Sequence, residues 1–309
     1  MNFRKPCLMI LCVFVSFSLV AQNDSGNGSP IPQESAQNSP NTLQTDIPHD
    51  YPGWLLLEKG KTARLTGNLT QAFYLLLLAL EKSPNNPEIE KELGQAFLQA
   101  GDFTQAKNHL NRALSKAGNR GDLAIEYEVR YILARIYTIE DRFADYEKIL
   151  NEIISLDGTV RLSGPEGFDL LDAGRTALIE RGLNRTLVLY RVSDSPSREA
   201  YRQLGVFYFN TGRYTEAINK LLISIMQPIS EAIELVREKD LDYTFSSIDQ
   251  LWLRLKDDEQ VRDYLRESLV YESMFYLAQS LHRFDPTRAV TADEIYRTLE
   301  KIPDAQQFH

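Results

Sequence analysis

His49, His109, His282 and His309 are the side chains that could most readily pass a proton or hold a metal ion near neutral pH. Their spacing argues against both uses. No two stand three or four residues apart, the separation that brings paired ligands to one face of a helix. Cys7 and Cys12 are the only cysteines, and both fall in the first 21 residues. Neighbouring carboxylates such as Glu90 with Glu92, or Asp257 with Asp258, could form an acid and base couple, but such pairs are expected to be solvated helix faces. There is no zinc motif, no glycine-rich loop after a strand, no nucleophile elbow and no calcium loop. Trp54 and Trp252 are expected in the core or at a cap rather than as stacking platforms. The expectation is therefore no catalysis, no cofactor and no metal, unless a site were assembled from scattered residues.

The elements that would carry any site begin after an export signal. Arg4 and Lys5 precede 14 uncharged residues, Cys7 to Val20, and the small Ala21 follows; this pattern predicts a signal peptide over 1–21, cleaved near Gln22. The alternative, a retained anchor, needs about 20 apolar residues to span a bilayer, more than this run supplies. Neither cysteine follows a small residue at the end of the apolar run, as a lipid-accepting one would: Pro6 precedes Cys7 and Leu11 precedes Cys12. Cleavage would leave no disulfide, no thiolate ligand and no thiol nucleophile. It would also leave 32 Lys and Arg against 43 Asp and Glu, a net charge of −11. An acidic surface repels phosphate backbones, so no nucleic-acid partner is expected.

Residues 22–50 are rich in Asn, Ser, Gln, Pro and Gly and show no period of 3.6 or 2, so a disordered linker is expected. Beyond it the composition turns to that of a folded protein, 43% hydrophobic and 10% aromatic over the whole chain, and the sequence repeats. Gly60 recurs as Gly94, Gly67 as Gly101, Ala72 as Ala106, Leu76 as Leu110 and Ala79 as Ala113, each 34 residues on. The same internal spacing returns in Gly205, Gly212 and Ala217, and more loosely in Ala134, Asp141 and Tyr146. Two short antiparallel helices, A and B, explain these residue types. Small side chains at Gly60, Gly94, Ala134 and Gly205 let helix A approach helix B, with Ala72, Ala106 and Ala217 answering from helix B. Phe97, Tyr137, Tyr208, Phe103, Phe143 and Tyr214 would fill the space between units. Gly67, Gly101 and Gly212 would end helix A in the left-handed conformation. Pro84 and Pro228 would close helix B.

The pattern resembles the tetratricopeptide repeat in Leu93, Gly94, Phe97, Gly101, Phe103, Ala106 and Ala113, and again in Leu204, Gly205, Tyr208, Gly212, Tyr214 and Ala217. The resemblance implies an all-α, helix-turn-helix repeat solenoid of about five units. The units are 53–86, 87–120, 127–160, a divergent 161–197, and 198–231, within a repeat region over 51–231. Over 161–197 the apolar spacing at Phe168, Leu171, Ala177, Ile179, Leu187, Leu189 and Tyr190 fits one degenerate repeat, and the glycines of Gly158 to Gly167 suggest a loop or hinge. Degenerate repeat helices over 232–309 would cap the array, the last running from about Thr291 to Lys301 and stopping at Pro303.

In this family the A helices line the concave, partner-binding face. Carried onto this chain, the inward positions include Lys61, Arg64, Lys91, Gln95, Tyr131, Arg135, Arg202 and Phe209. Five of the eight are cations, which points either to ordinary surface residues or to a groove for an acidic or extended peptide, with stacking on Tyr131. The carboxylate clamp of cytosolic chaperone-binding members is absent, since its positions hold Leu57, Lys61, Glu92, Glu128 and Ile132. The expectation is an exported, periplasmic or envelope-associated scaffold that binds a protein or peptide, with no membrane span after cleavage. The alternative is an accessory of a periplasmic solute-transport system that docks on a binding protein or holds a small ligand.

Overall fold

The computed structural model describes residues 51–157, 162–163 and 170–308. The expected signal and linker, Phe168, and all of Gly158–Gly167 except Leu162 and Ser163 lie outside the described residues. Within them the fold is all-α save for one two-residue antiparallel pair. β1 (Leu162–Ser163) lies against β2 (Arg191–Val192), with Leu162 opposite Val192.

Three helix pairs open the array: α1 (Gly53–Leu65) with α2 (Leu69–Lys82), α3 (Pro87–Gln99) with α4 (Phe103–Gly118), and α5 (Leu123–Ile139) with α6 (Phe143–Leu156). Helix A ends the same way in each. Gly67 and Gly101 sit at φ 82° and 81°, and the next N–H reaches back into helix A, Asn68 to the Ala63 carbonyl at 2.9 Å and Asp102 to the Phe97 carbonyl at 3.0 Å. In the third pair Asp141 takes this place at φ 56° and keeps the turn, with Arg142 bonded to the Tyr137 carbonyl at 2.8 Å; aspartate is among the few side chains that visit this region. Asn68, Asp102 and Asp122 cap α2, α4 and α5 by accepting from Gln71, Gln105 and Ile125 N–H. The Asp122 cap starts α5 four residues ahead of the boundary at 127.

The close A-to-B approach rests on one contact repeated 16 residues apart. A Cβ on Gly60 would stand 2.8 Å from Leu76, one on Gly94 2.7 Å from Leu110, and one on Gly205 2.5 Å from Leu221. Only glycine leaves room for these leucines, which are fully buried.

α6 is followed in the stack by α8 (Arg198–Asn210) and α9 (Tyr214–Lys239), not by the segment that comes next in sequence. Phe207 of α8 packs on Tyr146 and Phe143 of α6, at ring-centroid distances of 5.5 and 6.1 Å, while α7 (Leu170–Leu189) packs instead on α9 and on α13 (Ala289–Glu300). The stretch expected as a degenerate repeat thus stands outside the succession of helix pairs. Gly182, at φ 82°, interrupts α7.

Pro228 does not close helix B. α9 runs through it to Lys239, although an interior proline costs a helix about 3 kcal/mol. Every residue from Leu221 to Ser230 is buried, so packing on all sides offsets the missing hydrogen bond. α10 (Ile248–Leu255) and α11 (Glu259–Glu267) then lead into α12 (Val270–Phe284), which lies against α8 and α9 as the next A helix. α13 pairs with α12, and short 3-10 turns at Pro286–Arg288 and Pro303–Phe308 flank it. Trp252 is in the core, as expected, but Trp54 is 66% exposed: it stands with Glu58 and Leu65 on the side of α1 turned away from α2.

Candidate functional site

The inward-facing side chains of the A helices are set by helical spacing, since positions three and four apart share a face. Most of the cations expected there are engaged by the neighbouring A helix. Arg64 Nε donates to Glu92 Oε2 at 2.8 Å from α1 to α3, and both side chains are almost excluded from solvent. Lys61 lies 4.0 Å from Glu88. Lys91 of α3 binds Glu128 of α5 and, at 2.9 Å, Glu88. Burial pushes its ammonium pKa down, but the Glu128 and Glu88 bonds outweigh that and raise it. Arg202 of α8 binds Glu199 at 2.5 Å and Glu272 of α12 at 2.5 Å. Burial acts against its charge, and the two carboxylates more than restore it.

Between α5 and α8 the tie is neutral. Tyr131 Oη donates to the Pro196 carbonyl at 2.7 Å and accepts from Ala200 N–H at 3.1 Å. Its hydroxyl pKa is pushed up, chiefly by burial. The ring is locked in a seam and is no free stacking platform. Phe209 packs on Tyr276 of α12 at 5.3 Å and Tyr214 at 6.0 Å. Six of the eight positions, all but Gln95 and Arg135, thus form a ladder that staples α1, α3, α5, α8 and α12 in succession.

Three of them also meet in one cleft. Arg64, Gln95 and Arg135 line a cavity of about 380 Å³ over α1, α3 and α5, together with Leu98, Gln99, Phe103, Ile132 and Ile139. Arg135 is exposed and, alone among the five cations, has no carboxylate partner among the described residues. Ile139 is 48% exposed. The cleft therefore offers an apolar wall, two amides and one free guanidinium. Lys61, Lys91, Tyr131, Arg202 and Phe209 lie outside its lining. Of its apolar members, Phe103 reads in the sequence as filler between units and Ile132 stands at a clamp position, while Leu98 and Ile139 read only as core of an amphipathic helix. The carboxylates were legible only as charge at the clamp positions Glu92 and Glu128. Their offsets from Arg64 and Lys91, 28 and 37 residues, are the signal that could have found the ladder.

Glu90 and Glu92 are not a solvated face. Glu90 is 2% exposed and pairs with His109 Nδ1 at 2.7 Å and Lys116 Nζ at 2.5 Å. Burial pushes its carboxyl pKa up, but these two partners outweigh it and hold it below the ordinary value. The His109 ring stacks on Phe97 at 5.2 Å, so the pair is packed into the α3–α4 interface. Asp258 caps α11 and binds Lys239. His282 is exposed, and His49 and His309 lie outside the described residues. Among the described residues no three His, Cys, Asp or Glu gather as a metal site, and no helix is long and apolar enough to cross a membrane.

Stacked helix pairs with left-handed glycine stops and an A-helix groove define a helical repeat array of the scaffold type. Residues 63–125, from the end of α1 to the start of α5, match the family model of the tetratricopeptide repeat, and that stretch carries the repeat. It is similar to an uncharacterised protein of Treponema pallidum, 23% identical over 231 residues, covering 74% of this chain and 61% of that protein. It is also similar to an uncharacterised protein of Borreliella burgdorferi, 20% identical over 266 residues, covering 79% and 82%. The chain thus spans about three fifths of the length of the Treponema relative.

Proposed function

We propose that this protein is an exported, non-catalytic scaffold that binds a partner protein through the cleft over α1, α3 and α5. Tetratricopeptide repeats serve as a rule in protein–protein interaction, and the cleft carries the reading here. Its exposed Ile139 and unpaired Arg135 face a space of about 380 Å³, enough for a few side chains of an extended or helical segment. Because the other cations are spent on Glu88, Glu92, Glu128, Glu199 and Glu272, the segment it fits is aliphatic with a single carboxylate, not a run of acid. Export and an envelope location rest on the Arg4–Ala21 pattern.

The test is capture from the native envelope with the Arg135→Glu and Ile139→Ser variants, which alter exposed side chains and leave the ladder whole. A protein captured by the natural chain and lost with either variant, at unchanged far-ultraviolet helix signal, supports the reading. Equal capture by all three chains refutes it. Reversing Lys91 would be uninformative, since it breaks the tie to Glu128.

A further inference from the structure

A second charged surface lies at the other end of the array, independent of the A-helix cleft. Two adjoining cavities, about 460 and 440 Å³, flank the interruption of α7 at Gly182 and share Arg181, Asn184 and Glu294 in their walls. Arg297 lines the first and Arg185 the second. All three arginines are exposed and have no carboxylate partner among the described residues. Two of the three carboxylates in these walls are already committed. Glu294 accepts from Leu183 N–H at 3.3 Å and from Asn184 Nδ2 at 3.0 Å. Its Oε2 would stand 2.0 Å from a Cβ on Gly182, so the carboxylate fills the space that the glycine leaves. Asp249 binds Lys301 at 2.6 Å. Glu180, exposed in the wall of the first cavity, is the remaining one. Apolar surface stands beside the charges, with Val290 80% exposed in the first cavity and the half-buried Val188 in the wall of the second.

We propose that these cavities form a second docking surface, for a short segment of a partner protein in which carboxylate and aliphatic side chains alternate. The arginines supply bidentate carboxylate recognition, and Val290 and Val188 take the aliphatic side chains. The size of the occupant follows from the charge of the whole molecule. With a net charge of −9, the body of the protein repels an extended polyanion such as a bilayer or nucleic acid. A short segment inside the cavities feels chiefly the local arginines, because screening cuts the field over about 8 Å at physiological salt.

The probe is a fluorescein-labelled synthetic peptide alternating glutamate and leucine, titrated by anisotropy against the full chain, with its glutamine–leucine counterpart as control. The glutamate peptide is expected to bind, the glutamine peptide to bind at least about tenfold more weakly, and the double variant Arg181→Ala, Arg297→Ala to lose about tenfold in affinity. The Arg135→Ala variant should bind it like the natural chain, which separates this surface from the A-helix cleft. The arginines are exposed, so the thermal midpoint should not move. Absence of binding up to about 1 mM, equal binding of both peptides, or equal binding by the double variant would overturn the proposal. So would co-sedimentation with phosphatidylcholine vesicles containing phosphatidylglycerol that the same double variant abolishes, since that assigns the arginines to a lipid surface.

Discussion

Arg64 and Glu92 meet in the seam between α1 and α3, Nε donating to Oε2 at 2.8 Å, with 8% and 2% of their side chains exposed. The pair converts what would be two charges of an open groove into a joint between repeat units. Removing one partner leaves the other charge buried, which costs about 3–5 kcal/mol. Glu92→Ala should therefore lower stability by that amount in urea unfolding. The double change Arg64→Met, Glu92→Leu, which removes both charges and keeps the volume, should recover most of the loss. A Glu92→Ala chain as stable as the natural one would show that the seam is open to water.

The glycines against Leu110 and Leu221 can be tested by adding one methyl group. Gly94→Ala and Gly205→Ala place a Cβ within 2.7 and 2.5 Å of a fully buried leucine, and overpacking of this kind costs about 1–3 kcal/mol. Gly174→Ala is the control, since its nearest neighbour, Leu222 Cδ2, is 3.4 Å away; its midpoint should change little or rise.

Among the described residues two side chains sit in the left-handed region where glycine is at ease, Asp141 and Leu269, both at φ 56°. Replacing either with glycine should raise stability by about 1 kcal/mol, the larger gain falling to Leu269, since a short polar side chain tolerates this region better than an aliphatic one. Thermal unfolding of the two single variants measures this directly.

Acid and alkali should loosen the array through different residues. Glu90 has its carboxyl pKa lowered in the fold. Its contribution is therefore complete above the unfolded value of 4.5 and is lost as pH falls through the folded value. Lys91 has its ammonium pKa raised, so its contribution is complete below 10.5 and is lost as pH rises through the folded value. Stability measured against pH should show a shallower acid limb in Glu90→Gln and a shallower alkaline limb in Lys91→Met. Parallel curves in natural and variant chains would assign both limbs to other groups.

Much of the architecture was legible in the residues alone, for a local reason. A 34-residue recurrence of glycine, alanine and leucine reports the contact of one helix with the next in sequence, and a glycine or aspartate at the helix stop reports a backbone angle. Such features depend on a few neighbouring residues, so they survive in one dimension. The A-helix face was legible only as a list of positions. Arg64, Lys91 and Arg202 look like free cations along the chain, and each is bound to a carboxylate 28, 37 or 70 residues away. Arg135 and Arg64 are the same residue type at related positions, yet one is exposed and the other is sealed in a seam. Pro228 shows the same limit: its ring opposes a helix locally, and burial all round α9 decides otherwise. The departure of α7 from the stack follows too from packing on α9 and α13, elements that come later in the chain. The sequence by itself determined the repeat, its helix stops and its close-packed glycines. The tertiary structure alone decided which charges neutralise one another and which stay free to meet a partner, because an ion pair depends on separations of a few ångströms that are set when distant helices pack.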